Sequence, residues 1–303
     1  MCAEATVQER IGRLKGATRE IKGIIEEFQM QAIGGMMAAW ELWEKACIPS
    51  LLSGAGTWFG GKEGKGAIEL CDNMQNYFWR VMLTVPESCP KIALRCETGM
   101  MGMKWRIWIA KILLLMRIKK QDQGSLSRQV YEESRARGWP GLGEEVASIC
   151  KETGLPDINN VAVTKAEVKK AIGDHHQADV LKELRESKKL MDIKNEDFST
   201  VKDYFKDKSV ENTRMAFKVR SKMVADIPGN FKNKYKRKGE DGIRCSYCTE
   251  GKEFSQSHCL ECPAWADIRE GLDLTDIMDL VVFFRKMLDE RARLEAENVK
   301  KTA

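Results

Sequence analysis

Apolar residues recur at helical rather than alternating spacing along most of the chain. Val7, Ile11, Leu14, Ile21, Ile25 and Phe28 follow a four–three rhythm that lays one stripe along a helix. Gly34 and Gly35 interrupt it, and a second helix is predicted from Met36 to Leu52, carrying Trp40, Leu42, Trp43 and Ile48. Glycines 54, 56, 60, 61 and 64 make the next stretch a loop. Helix is expected again from about Ala67. Ile68, Cys71, Gln75, Phe78 and Met82 lie on one side of it and Leu70, Met74, Tyr77 and Val81 on another, so both sides should be buried. Pro86 and Pro90 bracket a turn. The most apolar run, Trp105–Ile118, contains Arg106, Lys111 and Arg117 and is too short to span a bilayer, so it reads as a buried helix. A more polar helical pair follows, broken at Trp139-Pro140-Gly141.

Gly154, Pro156, Asn159 and Asn160 break the pattern between Lys151 and Thr164, which marks a domain boundary there. Thr164 and Glu167 have capping-box spacing and open a charged helix to about Lys188. A last amphipathic helix presents Ile277, Leu280, Val281, Phe284 and Leu288. No alternating strand pattern of any length and no internal repeat is visible. The predicted fold is therefore mostly α: a helical bundle over 1–153, a charged helical linker region over 154–200, and a basic segment, a small zinc knuckle and the final helix over 201–303.

Composition changes this picture in two places. The 303 residues are 43% hydrophobic and 31% charged, ordinary for a globular protein and too apolar for general disorder. The net charge is only +5, yet Arg214 to Lys238 holds nine basic residues and one acid, Asp226. That stretch alone carries +8, so the remainder carries −3, and a local polyanionic partner is implied. Arg214, Lys218, Arg220 and Lys222 precede Ile227-Pro228-Gly229-Asn230, and Lys232, Lys234, Lys236, Arg237 and Lys238 follow it. Cations neutralise phosphates, and Phe231 and Tyr235, set among lysines, read equally as rings that stack on unpaired bases or as core residues. The spacing 214, 218, 222 puts three cations on one helical face. Phe217 is read as core.

The ten cysteines are scattered except between 245 and 262. No secretory pattern opens the chain, so a reducing intracellular compartment, nuclear or cytoplasmic, is expected, with clustered cysteines as metal ligands. Cys245-Ser-Tyr-Cys248 sets two thiolates across a tight turn, and His258 and Cys262 lie one helical turn apart, a set suited to tetrahedral zinc. Cys259 with Cys262 forms a second C-x-x-C, so Cys259 is the alternative to His258 as ligand. Four protein ligands close the site and make it structural. Asp174-His175-His176 reads as exposed helix surface. Gly60 to Lys65 lacks phosphate-loop spacing and reads as a flexible loop. Trp58, Trp105 and Trp108 are read as core. No metal-binding aspartate pair in an apolar strand is visible.

Laid end to end, these segments resemble the C-terminal, thumb and post-thumb zinc-knuckle region of reverse transcriptases from non-LTR retrotransposons. Ile48-Pro49-Ser50-Leu51-Leu52 through Trp58 looks like the family segment after the polymerase palm. Leu70 to Pro90 is similar to the pattern Q-x-x-F-x-R-x-x-x-x-x-P-x-S-x-P through Gln75, Phe78, Arg80, Pro86, Ser88 and Pro90. Arg214 to Lys234 resembles the basic segment before the knuckle, and Cys245 to Pro263 the terminal cysteine–histidine motif. The resemblance implies a helical thumb over roughly the first 150 residues, His258 rather than Cys259 as ligand, and binding of element RNA or target DNA during target-primed reverse transcription. It places the catalytic palm upstream of Met1, so the expectation is a C-terminal fragment with no polymerase activity on its own. The palm itself is a possible partner, and no membrane or small-molecule substrate is expected.

Overall fold

The structure is a computed structural model that describes residues 3–27, 35–57, 62–139, 141–187, 198, 200–224 and 244–302. It is mostly helical. Among the described residues no strand forms, and one isolated antiparallel bridge joins Arg244 to Glu253. The chain divides into two compact units, one of residues 1–28, 37–82 and 91–202, the other of residues 29–36, 83–90 and 203–303. No helix among the described residues is long and apolar enough to cross a membrane.

The first unit begins with α1 (Ala3–Glu27), whose stripe is buried at Val7, Leu14 and Ile25 as the spacing predicts. The predicted second helix is α2 (Gly35–Leu42), a π-helical turn at Trp43–Cys47, and α3 (Ile48–Leu51). Pro49 lacks an N–H, and its ring crowds the carbonyl four residues back. The chain relieves this by widening: the Ile48 N–H reaches the Trp43 carbonyl, five residues away. Arg10 of α1 then donates to the Leu51 and Ser53 carbonyls at 3.2 and 2.5 Å, satisfying the end of α3.

Helix α4 (Lys62–Leu83) starts earlier than expected, absorbing Gly64 from the predicted loop. A Cβ on Gly66 would lie 1.7 Å from Glu4 Oε1, so the carboxylate end of Glu4 occupies the space that a side chain here would take. The helix is buried on several sides as predicted, with Phe78 against Trp43 at 4.5 Å and edge-on to Trp79 at 5.2 Å. Helix α5 (Lys91–Thr98) was not anticipated. It is buried from Ile92 to Leu94 and from Cys96 to Thr98, and its Thr98 carbonyl accepts from Trp40 Nε1 at 2.9 Å. Gly99 ends it at φ +62, where a Cβ would meet the Thr200 backbone at 2.4 Å.

Helix α6 (Met103–Lys119) is the buried helix expected, and each of four cations along it has a fixed partner. Arg106 forks onto Glu44, Lys111 meets Glu145 at 2.6 Å, Lys104 meets Glu152 at 3.0 Å, and Lys119 donates to the Ile158 and Asn159 carbonyls. The polar pair is α7 (Leu126–Ala136) and α8 (Leu142–Thr153), and α9 (Lys165–Glu186) opens with the predicted capping box. Val168 and Ile172 of α9 share one core with Trp105, Ile112, Leu115, Val146, Ile149 and Ile158. The Lys151–Thr164 connection thus runs within this unit.

His176 corrects the expectation of an exposed histidine. Asp174 is exposed and His175 half-buried, but His176 is buried, and its Nε2 accepts from the Gly102 N–H at 3.3 Å. Asp72 Oδ1 accepts from the Met103 N–H at 3.0 Å, so two side chains from other helices satisfy the start of α6. Burial, reinforced by Arg95 and Arg106, lowers the His176 pKa to about 4. Between pH 6.5 and about 4 the unfolded chain takes up a proton here that the folded chain refuses, so stability falls with pH, by about 3 kcal/mol once the pH is below 4. Denaturant midpoints at pH 7 and pH 4.5 check this: His176→Gln, which keeps an acceptor but cannot charge, should lose visibly less stability on acidification than the parent. Equal losses would show that His176 does not titrate in this way.

The second unit contains a short 3₁₀ turn (Asp203–Lys206), α10 (Val210–Arg220), the cysteine turn, α11 (Gln256–Glu261), α12 (Ala266–Arg269) and α13 (Ile277–Thr302). Ser209 caps α10, its hydroxyl accepting from the Asn212 N–H. Val219, Val224, Cys245, Phe254, Cys259, Cys262, Trp265, Phe283, Phe284 and Met287 form one core that draws in α10, the cysteine turn and α13. The apolar stripe of the last helix is therefore spent internally: Ile277, Leu280 and Leu288 pack against this core.

Candidate metal centre

The cysteine turn is built by local backbone chemistry. The Arg244–Glu253 bridge and the Cys245 N–H donating to the Lys252 carbonyl at 2.9 Å close a loop over Cys245-Ser-Tyr-Cys248. Gly251 supplies the left-handed residue this loop requires, at φ +65. On the other side, Ser255 caps α11 by accepting from the His258 N–H, which fixes the first turn and aims His258 inward. Cys262 ends the same helix, its N–H donating to the His258 carbonyl at 2.7 Å, and Pro263 then opens a short 3₁₀ turn. Arg269 donates to the Cys262 carbonyl at 2.8 Å and holds that corner.

These elements gather Cys245, Cys248, His258 and Cys262 into one group, with one ligand atom from each lying within 4.8 Å of all the others. Cys245 Sγ is 3.9 Å from Cys262 Sγ, and Cys248 Sγ is 3.4 Å from His258 Nε2. Metal–sulfur bonds of about 2.3 Å and metal–nitrogen bonds of about 2.0 Å at tetrahedral angles give S···S near 3.8 Å and S···N near 3.5 Å. The spacing is thus that of atoms around a shared cation, and the sulfurs are far beyond disulfide distance. Three sulfurs and an imidazole fit a metal ion. Cys259, the alternative ligand, does not belong to the group: it is packed into the core, and burial pushes its thiol up to about 12. His258 Nδ1 is buried and finds no hydrogen-bond partner among the described residues.

Sequence reading overlooked the groups that brace this centre. Tyr247 packs between Trp265, 5.0 Å away, and Phe254, 5.7 Å away, while Gln256 Nε2 donates to the Val219 carbonyl at 2.7 Å and ties α11 to α10. Ser255 carried a legible signal, a serine three residues before a helical ligand pair. Tyr247 and Gln256 carried none, because their partners lie far along the chain.

The described half of the basic stretch is placed differently from expectation. Arg214, Lys218 and Lys222 do not line one solvent face. Arg214 is buried with its guanidinium on Glu211 at 2.8 Å, and Lys218 is partly buried, its pKa lowered by desolvation. Lys222 lies past the end of α10 at φ +54, with its N–H on the Val219 carbonyl and the Met223 N–H on the Lys218 carbonyl. That pattern is a Schellman stop, with a lysine where glycine is usual. Arg220 is half-buried, and Phe217 is core as read. The reason is the phase of α10: Val210, Thr213, Ala216 and Phe217 must face the core, and Arg214 falls among them. Phe231, Lys232, Lys234, Tyr235, Lys236, Arg237 and Lys238 lie outside the described residues, as do Trp58, Gly60 and Gly61.

A second feature escaped the sequence reading. Helix α7 has no buried residue, and Leu126, Val130 and Trp139 are 75%, 58% and 54% exposed. They border a groove of about 770 Å³ whose floor includes Leu114, Ile118 and Leu142. Comparisons of the chain with protein-family models, with curated proteins and with solved structures find no match.

Proposed function

We propose that the chain is a non-catalytic nucleic-acid-binding module in which zinc, held by Cys245, Cys248, His258 and Cys262, fixes a small helical unit beside a cationic segment. The observation that carries this reading is the shared core. Val224, which precedes the lysine-rich stretch in sequence, and Cys245, which follows it, belong to one apolar cluster with Cys262 and Trp265. In sequence, Lys232, Lys234, Lys236, Arg237 and Lys238 lie between these two members of the cluster. Three soft sulfurs and one imidazole suit zinc among the common divalent ions, and four protein ligands leave no open position for a reacting water. The zinc would supply folding energy. The five cations would neutralise phosphates, and Phe231 and Tyr235 would stack on unpaired bases.

On this reading the chain plays the part of the post-thumb region in a non-LTR retrotransposon reverse transcriptase, gripping template RNA or target DNA while a separate palm performs synthesis. The order of the helical segment, the basic stretch and the cysteine–histidine group supports that assignment. Photocrosslinking of the zinc-loaded chain to a photoreactive single-stranded RNA tests it. Adducts should concentrate on peptides containing residues 231–238. Adducts confined to the first unit, or none above background, would refute the assignment.

A zinc-stabilised protein-interaction scaffold is the second reading, and the exposed Leu126, Val130 and Trp139 favour it. The last helix does not, since its apolar stripe is already packed.

A further inference from the structure

Helix α13 outruns its core. Val281, Phe283, Phe284 and Met287 are buried, but among the described residues beyond Leu288 only Leu294 packs against the cluster, and Ala292, Arg293, Glu295, Ala296 and Glu297 are exposed. A polar contact also joins this distal half to the metal-binding turn. Tyr247, between Cys245 and Cys248, donates its hydroxyl to Glu295 Oε1 at 3.0 Å. Arg291, one turn earlier on α13, donates from Nε to the same oxygen at 2.8 Å. Its guanidinium lies 5.5 Å from the centroid of Phe254, a ring that also packs on Tyr247. One carboxylate thus receives hydrogen bonds from the turn that carries two ligands and from the helix.

We propose that Tyr247, Glu295 and Arg291 form a latch that couples metal binding at the cysteine–histidine group to the order of the distal half of α13. Tyr247 and Glu295 act as positioning residues for the metal-binding turn. The inference rests on the metal reading above. Fixing Tyr247 on α13 pre-sets the Cys245–Cys248 turn for the ion, and by linkage the ion returns the same free energy to the helix.

The test uses the full zinc-loaded chain, with zinc affinity read by competition against a chromophoric chelator and helix order by hydrogen exchange of the 289–297 amides. Tyr247→Phe and Glu295→Ala each remove one hydrogen-bonding partner and should weaken zinc about two- to tenfold, the range of one net hydrogen bond. The 289–297 amides should exchange faster in both variants. Glu295→Gln, which keeps the acceptor oxygen, should restore most of both effects, and Glu297→Ala, on the same exposed surface, should change neither. Because Glu295 is exposed, its substitution leaves the core intact. Unchanged zinc affinity in Tyr247→Phe and Glu295→Ala would overturn the latch and leave the metal reading standing. Failure of the parent chain to take up zinc would overturn both.

Discussion

Replacing Cys262 with serine should unfold the second unit and leave the first folded. Cys262 is fully buried and shares its core with Cys245, Phe254, Trp265, Phe283 and Phe284. A serine there offers no thiolate, and it buries a hydroxyl in an apolar cluster, at a cost of roughly 1–3 kcal/mol if no partner is found. Loss of the metal outweighs that cost. Structural zinc contributes on the order of 10–16 kcal/mol in small zinc domains, about as much as the whole stability of an ordinary domain. Hydrogen exchange resolves the two units: amides of α10 and α13 should lose protection in Cys262→Ser, while those around Phe78 and Ile112 keep theirs. A strong chelator should reproduce the pattern in the parent chain. Persistent protection of α13 under both conditions would show that the four residues are merely neighbours in a core that needs no ion.

The second large effect belongs to the cations after the Pro228-Gly229 break. Substituting Lys232, Lys234, Lys236, Arg237 and Lys238 together by alanine should flatten the dependence of RNA affinity on salt. If each contacts one phosphate, the slope of log K against log salt falls by about 3.5 on a single strand and about 4.5 on a duplex. Arg214→Met and Lys218→Met should barely move that slope. Arg214 is buried on Glu211, and Lys218 is partly withdrawn from solvent. Equal losses from the two groups of substitutions would mean that the whole stretch acts as one diffuse patch.

What the sequence reveals here depends on how local the physics is. Helices α1 and α9 are readable because stripe spacing and a capping box are local, and the cysteine–histidine group is readable because its spacing states its own geometry. The π-turn at Trp43–Cys47 is not readable, since Pro49 marks a disturbance without saying how the chain absorbs it. Helix α5 is hidden by its shortness and by burial of nearly every position, which leaves no polar face to set a phase. Gly64 reads as a loop residue, yet it is buried in the first turn of α4. His176 was misread although a signal was present: Val168, Ile172, His176, Val180 and Leu184 recur every four residues, and all are buried. Arg214 follows the same logic on α10, in phase with Val210 and Phe217. In both cases helical phase, not polarity, decides burial. The latch between Tyr247 and Glu295 spans 48 residues and has no sequence signature.

If the lysine-rich segment binds polyanions, as proposed, RNA affinity must depend steeply on salt. A labelled single-stranded RNA is titrated with the zinc-loaded chain at about 50 mM and about 200 mM salt, with anisotropy as the readout. Five phosphate contacts at about 0.7 ions each predict an affinity lower by roughly a hundredfold at the higher salt. Affinity that is absent at the lower salt, or that does not change between the two, would rule out polyanion binding by this segment.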